Sequence, residues 1–474
     1  MQQLVSLPLW LVVVLVALAG WAVVSHLLLP IARAILARPS RSVLAEAERR
    51  LAIPIQPFKL TKREVLLDRL AYDPLVMEAV DQEARETGAS REAVAARVRR
   101  YAQEIVPAFN AYVYFRLGYR LARGVARFLY RVRLGSSDEA ALKAIPAGST
   151  VVFVMNHRSN MDYVLVAYLA AERTALSYAV GEWARVWPLQ QLIRSMGAFF
   201  VRRNSKDRLY RRVLERYVHM ATEGGVTQAI FPEGGLSRDG ALRPPRLGLL
   251  DYIVRDFEPE RERDVYFVPV AINYDRVLED RTLILDLLPA EERKRAPAVP
   301  TTLRFVARNL ALMVKSEWHR FGYACVNFGQ PVSLRACLAE RGERPQALDA
   351  EARFALTARL AERLMAEIGR VVPVLPVPLL ASVFEVAGGA GLSELEVKAR
   401  FLARLEQLRA AGAQVYIPRR DEDYAAEVGL RSLLLRHLVV EEEGLYRVRP
   451  EERTLLTYYA NSIRHLTGSE AAAV

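Results

Sequence analysis

Cysteine is nearly absent from this 474-residue chain: only Cys325 and Cys337 occur, too few for a disulfide framework and without the spacing or histidine company of a zinc site. Both read as small buried apolar residues. No internal repeat or low-complexity tract interrupts the chain. With 52% hydrophobic and 25% charged residues, disorder is not indicated, and the length suffices for one large or two ordinary cores.

Charge is missing altogether from Leu4 to Leu29. Those 26 residues, at about 1.5 Å each, are long enough to cross a hydrocarbon core of about 30 Å, which predicts one transmembrane helix. A cleaved signal peptide is disfavoured, because no positive n-region precedes the run, the run is too long for an h-region, and no small-x-small site follows. Arg33, Arg38 and Arg41 follow it and no basic residue precedes it. The positive-inside rule therefore predicts an outside N-terminus and a single-pass protein of the plasma or inner membrane with its body in the cytoplasm.

The net charge is +12, and residues 1–133 hold 20 lysines and arginines against 11 acids, so most of the excess lies next to the apolar run. Prolines at 54, 57, 74 and 107 break an otherwise helical pattern there. From Ala111 to Arg133, AYVYFRLGYRLARGVARFLYRVR, the residues Arg116, Arg120, Arg123, Arg127 and Arg131 recur at helical spacing with Phe115, Tyr119, Phe128 and Leu129 among them and no acid. Such a helix suits an anionic bilayer interface, and equally the solvated face of an ordinary packed helix.

Between Ser149 and Val332, apolar strand-like runs (VVFVM, AFFV, VTQAIF, YFVPVAIN, GYACVNFG) alternate with helical ones, the pattern of an α/β sheet flanked by helices. The first run ends in HRSNMD, so His157 and Asp162 leave the carboxyl end of a strand five positions apart. That is where open α/β sheets carry their chemistry. A carboxylate that reaches one imidazole nitrogen fixes the tautomer and frees the other as a base near neutral pH. No G-x-S-x-G elbow stands nearby, so the nucleophile would be a hydroxyl of the substrate. Alone, the pair reads equally as a capping aspartate and a loop histidine.

Three further blocks follow in order: GAFFVRR from Gly197, FPEGGLSR from Phe231, and VPVAINY from Val268. Together the four blocks resemble the glycerolipid acyltransferase family. HRSNMDY, GAFFVRR, PEGGLSR, VNFGQP and the terminal LTYYANSIRHL are similar to the large glycerol-3-phosphate acyltransferases of bacterial and mitochondrial type, from the middle of the basic helix to the C-terminus. The resemblance implies His157 as general base and Asp162 as its orienting partner. It implies that Arg202 and Arg203 hold the acceptor's phosphate, where a guanidinium can form a bidentate fork. Glu233, Gly234 and Gly235 would shape the acceptor pocket, with Ser237 and Arg238 in the same substrate-binding block. The family usually has arginine where this chain has Leu236, so one phosphate contact is missing or displaced to Arg238. The fourth block resembles the acyl-donor part, or is a plain buried strand.

The reaction so implied moves a fatty acyl group from acyl-CoA or acyl-carrier protein to the sn-1 hydroxyl of glycerol 3-phosphate, the first step of phospholipid synthesis. Backbone amides after Met155, or those of Gly234 and Gly235, would steady the oxyanion. No metal or bound cofactor is implied. Alternatives are acylation of lysophosphatidate or dihydroxyacetone phosphate and, of another class, a catalytically silent lipid-binding membrane protein. The expected organisation is an anchor at 1–30, a basic membrane-proximal helical region at 31–145, the α/β catalytic domain at 146–335 and a mostly helical C-terminal lobe at 336–474. In the lobe, Ser393-x-x-Glu396 reads as a capping box and LVVEEEGLYRVRP as a hairpin. Its helix-helix-hairpin order is like that of a winged helix, yet it lacks a basic recognition stripe, so nucleic acid is not expected as a partner.

Overall fold

The computed structural model describes Glu46, Leu51 and residues 53–170, 174–181, 189–202, 205–287 and 321–467. The apolar run expected as an anchor, Arg33, Arg38 and Arg41 after it, and Arg203 lie outside them. Among the described residues no helix is long and apolar enough to cross a membrane.

A central mixed sheet is built from β1 (Arg131–Ser137), β2 (Thr150–Met155), β3 (Ser177–Val180), β4 (Phe199–Phe200), β5 (Gln228–Ile230), β6 (Val265–Tyr274), β7 (Tyr323–Phe328) and the short β8 (Val332–Ser333). The order is β1-β7-β6-β2-β5-β3-β4, with β8 beside β6. Strands β6, β2, β5, β3 and β4 run parallel, β7 runs antiparallel to β6, and β1 is parallel to β7. The carboxyl ends of the five parallel strands therefore share one edge. This is where the loops after β2, β5 and β6 converge.

The helices used below are α1 (Arg63–Ala71), α2 (Pro74–Thr87), α3 (Arg91–Ile105), α4 (Tyr119–Leu129), α5 (Met161–Ala170), α6 (Arg208–Glu223), α7 (Gly248–Val254), α8 (Ala350–Arg370), α9 (Pro376–Val386), α10 (Glu394–Ala410), α11 (Glu422–Leu435) and α12 (Arg453–Arg464). Every residue of β2 is buried, because helices cover both faces of the sheet. Val151, Phe153 and Met155 pack with α4, α5 and α9–α12, whereas Val152 and Val154 pack with α1–α3, α6, α7 and α8. A strand covered on both faces gains from apolar residues at every position, which is why VVFVM does not alternate. The four helices α9–α12 share one apolar cluster with the sheet.

The capping box forms at Ser393 and Glu396. The hairpin forms as β10 (Val439–Glu442) against β11 (Leu445–Val448), around Glu443 and Gly444, both at positive φ, as a two-residue turn between right-twisted strands requires. A two-residue strand, β9 (Leu392–Ser393), pairs with β11.

The basic helix departs from expectation. It opens with a π-helical turn at Val113–Gly118 and ends at Leu129, where Tyr130 is extended. Residues 131–137 then form β1, the sheet edge against β7. Arg131 thus leaves the helical stripe, and Arg116 pairs with Glu46. Arg120, Arg123 and Arg127 are exposed on α4, beside Leu117, Leu121 and Phe128 at 41%, 49% and 37% exposure.

Candidate functional site

Beyond Met155 the ladder continues through a side chain. Asn156 donates Nδ2 to Ile272 O at 2.9 Å and accepts from Ile272 N at 2.8 Å, imitating a backbone pair and turning the chain off the sheet. Six residues on, Asp162 stands in the first turn of α5, where the helix dipole favours a negative charge. Its Oδ2 accepts from Arg158 N at 2.7 Å and Ser159 N at 3.0 Å and lies 2.9 Å from His157 Nδ1. Its Oδ1 accepts from the Tyr274 hydroxyl at 2.5 Å. The five-residue spacing thus closes a loop around one buried carboxylate with four donors.

Pairing with Asp162 places the imidazole proton on Nδ1 and leaves the lone pair on Nε2. That atom is buried and meets no hydrogen-bond partner among the described residues. The ring lies 4.2 Å from the Phe231 ring and 5.4 Å, edge-on, from the Tyr163 ring, and His157 is only 1% exposed. An imidazole held on one side by a carboxylate and sheltered from water is equipped to take a proton from a bound hydroxyl.

The turn after β5 grips the histidine from behind. Glu233 accepts from His157 N at 3.0 Å on one oxygen and from Arg243 N at 3.1 Å on the other. Burial pushes its carboxyl above the usual range, against the pull of Arg158. Ser237 donates its amide to His157 O at 3.0 Å, and its hydroxyl lies 2.7 Å from Ala241 O. Both side chains are buried and hold the backbone of His157, whereas the resemblance implied a place for them in the substrate-binding block. Gly234 is required as glycine, with φ +66 and Arg246 Cδ 2.5 Å from where a Cβ would stand.

Of the two sets of oxyanion donors, the amides of His157, Arg158 and Ser159 are taken by Glu233 and Asp162, and Gly234 N by Phe231 O. The amides of Gly235 and Leu236 find no acceptor among the described residues. Arg238 is exposed just beyond. Arg202 follows β4, three strands from β2, about 14 Å away at about 4.8 Å per strand. Its guanidinium forks onto Glu104 at 2.9 and 2.7 Å, over the Tyr101 and Tyr210 rings.

Three contributors escaped the sequence reading. Tyr274 ends the fourth block, and burial holds its phenol well above the ordinary range, so it remains a neutral donor to Asp162. Glu279 accepts from the Ser159 hydroxyl at 2.7 Å and from Asn160 N at 3.2 Å, with burial raising its carboxyl. Arg158 is fully buried and donates to the carbonyls of Gly240, Ala241 and Ser462. A polar residue at the end of an apolar strand was the available signal for Tyr274. Arg158 was inside the first block already.

Residues 139–273 match the family model described as Acyltransferase, and residues 309–474 match that of the glycerol-3-phosphate acyltransferase C-terminal region. A glycerol-3-phosphate acyltransferase of Aeromonas hydrophila subsp. hydrophila is 29% identical over 86% of this chain and 50% of its own length. One of Ectopseudomonas mendocina is 30% identical over 86% of this chain and 49% of its own. The chain spans about half the length of the curated relatives it matches. The crystal structure of the 1-acyl-sn-glycerophosphate acyltransferase of Thermotoga maritima superposes loosely, with TM-score 0.30 and 16% identity over 65% of this chain and 97% of that one.

Proposed function

We propose, from the premise that this chain belongs to the glycerol-3-phosphate acyltransferase family by its catalytic and C-terminal regions, that it transfers a fatty acyl group from acyl-CoA or acyl-carrier protein to the sn-1 hydroxyl of glycerol 3-phosphate. The observation that carries this reading is the buried, unpartnered Nε2 of a histidine whose Nδ1 is tied to Asp162. In this mechanism Nε2 takes the hydroxyl proton as the oxygen attacks the thioester carbonyl. The amides of Gly235 and Leu236 steady the oxyanion. Attack forms the C–O bond; collapse of the oxyanion restores the carbonyl and breaks the C–S bond, and the leaving thiolate takes the proton from the imidazolium. Arg202 and Arg203 remain proposed holders of the acceptor's phosphate, and Arg202 would have to exchange Glu104 for it.

The decisive assay uses purified protein in detergent, one acyl thioester and three acceptors in parallel: glycerol 3-phosphate, lysophosphatidate and dihydroxyacetone phosphate. The expected product is lysophosphatidate, from glycerol 3-phosphate. Preference for either other acceptor would replace this reading, and transfer to none would favour a silent lipid-binding protein.

The same reading places the enzyme on the cytoplasmic side of the plasma or inner membrane, anchored by residues 4–29. In support, the exposed face of α4 and of the π-helical turn before it sets Leu117, Leu121 and Phe128 beside three exposed arginines, as a helix lying on anionic lipid does. A protein lacking residues 1–30 should still sediment with anionic vesicles at low salt and be released at high salt. Equal recovery with neutral and anionic vesicles at both salt levels would remove α4 from the membrane.

A further inference from the structure

We propose that Arg243 determines acceptor specificity, its guanidinium binding the phosphate of the acceptor from beside the turn at Gly234–Leu236. This rests on the phosphorylated acceptor of the preceding reading and adds a third guanidinium to the two proposed there.

Three features of the turn lead to this residue. Position 236 carries leucine, so the turn brings no charge of its own beside the histidine. The next basic residue, Arg238, is exposed. After Ser237 the chain loops through residues 239–242 and returns so that Arg243 N meets Glu233 Oε2 at 3.1 Å, while the other oxygen of that carboxylate holds His157 N at 3.0 Å. One carboxyl group thus pins the backbones of the base and of Arg243 next to each other. An arginine side chain is long enough to span that separation, and so is a three-carbon acceptor with its hydroxyl at one end and its phosphate at the other.

The guanidinium is also uncommitted. Its Nη1 donates to Leu236 O at 3.2 Å, which sets it against the turn, and among the described residues no carboxylate pairs with it. Arg202, by contrast, is forked onto Glu104, and Arg158 is consumed by main-chain carbonyls. A guanidinium carries five N–H donors in a planar fork, so one carbonyl contact leaves the fork able to take two phosphate oxygens. Arg243 is half-buried. Its pairing with a dianion is therefore less screened than one at the exposed Arg238 would be.

The test measures steady-state kinetics of the full chain in detergent with acyl-CoA and glycerol 3-phosphate, for wild type, R243A, R243K and the double variant L236R/R243A. The expected result is a rise of about ten- to a hundred-fold in the acceptor KM of R243A, the loss of a charge-assisted contact, with the acyl-CoA KM unmoved. R243K should recover part of the loss, because it restores charge without the fork. L236R/R243A should recover most of it, because the new guanidinium grows from the residue whose carbonyl Arg243 now touches. An acceptor KM equal to wild type in R243A would overturn the assignment, and so would equal rises in both KM values with no recovery in the double variant. Wild type that acylates glycerol 3-phosphate while R243A is indifferent defeats only the role of Arg243. Wild type that uses no phosphorylated acceptor defeats this proposal and the preceding reading together.

Discussion

His157→Ala should remove nearly all turnover and leave the fold in place. General-base catalysis contributes roughly 10²–10⁴-fold, and the imidazole of His465 has its Nε2 engaged with Gly369 O at 3.1 Å. The loop should survive the truncation, since Asp162 keeps the amides of Arg158 and Ser159 and the hydroxyl of Tyr274, three of its four donors. Circular dichroism and the unfolding midpoint should match wild type, while activity falls by about 10³ or more. Asp162→Asn should be comparably impaired, because an amide no longer selects the tautomer with the lone pair on Nε2. Tyr274→Phe is the graded member of the series. Removing one of its four donors loosens the Asp162 carboxylate that orients the ring, so kcat should fall less than in His157→Ala, with little change in either KM. The other charged groups facing this pair, Glu233, Arg158 and Glu279, are unaltered by that change. Near-normal activity in His157→Ala would sink the mechanism.

What the sequence revealed, and what it hid, divides by distance along the chain. Strand β2 was legible because burial on both faces writes itself as an unbroken apolar run, and His157 and Asp162 because both partners lie within one turn. The capping box at Ser393 and the hairpin at Glu443-Gly444 were legible for the same local reason. Strand β1 was not: Arg127 and Arg131 continue the four-residue spacing of a helix, and what ends the helix is pairing with Tyr323 and Ala324, nearly two hundred positions away. The resemblance singled out Glu233 and Ser237 but not which way they face. Both turn inward, onto the backbone of His157, and only the packed turn could reveal that. Tyr274 reaches Asp162 across 112 positions, and Arg158 reaches Ser462 across 304, contacts that no local pattern encodes.

Arg158→Ala should be the most damaging single change to stability and should cost activity as well. The guanidinium is 1% exposed and joins three segments: the catalytic loop, the loop at Gly240 and Ala241, and the end of α12 through Ser462 O. The same junction is drawn tight by Asn461 Nδ2 to Asp239 O at 2.8 Å and Asn273 Nδ2 to the Ser462 hydroxyl at 3.2 Å. Gly240 lies so close that a Cβ there would stand 1.8 Å from Tyr458 O. Truncation would leave buried carbonyls without donors and open a cavity that this packed junction cannot collapse, for a combined loss of about 3–5 kcal/mol. Because Arg158 directly follows His157, the loosened loop should also misdirect Nε2, lowering kcat by more than about tenfold, as small misplacements of reacting groups do. Arg158→Lys should sit between, since an ammonium carries charge but not the planar fork that spans separate carbonyls. Thermal unfolding and kcat measured on the same preparations provide the check. A midpoint and turnover equal to wild type in Arg158→Ala would mean that α12 does not hold the catalytic loop. A lowered midpoint with undiminished kcat would confine Arg158 to stability.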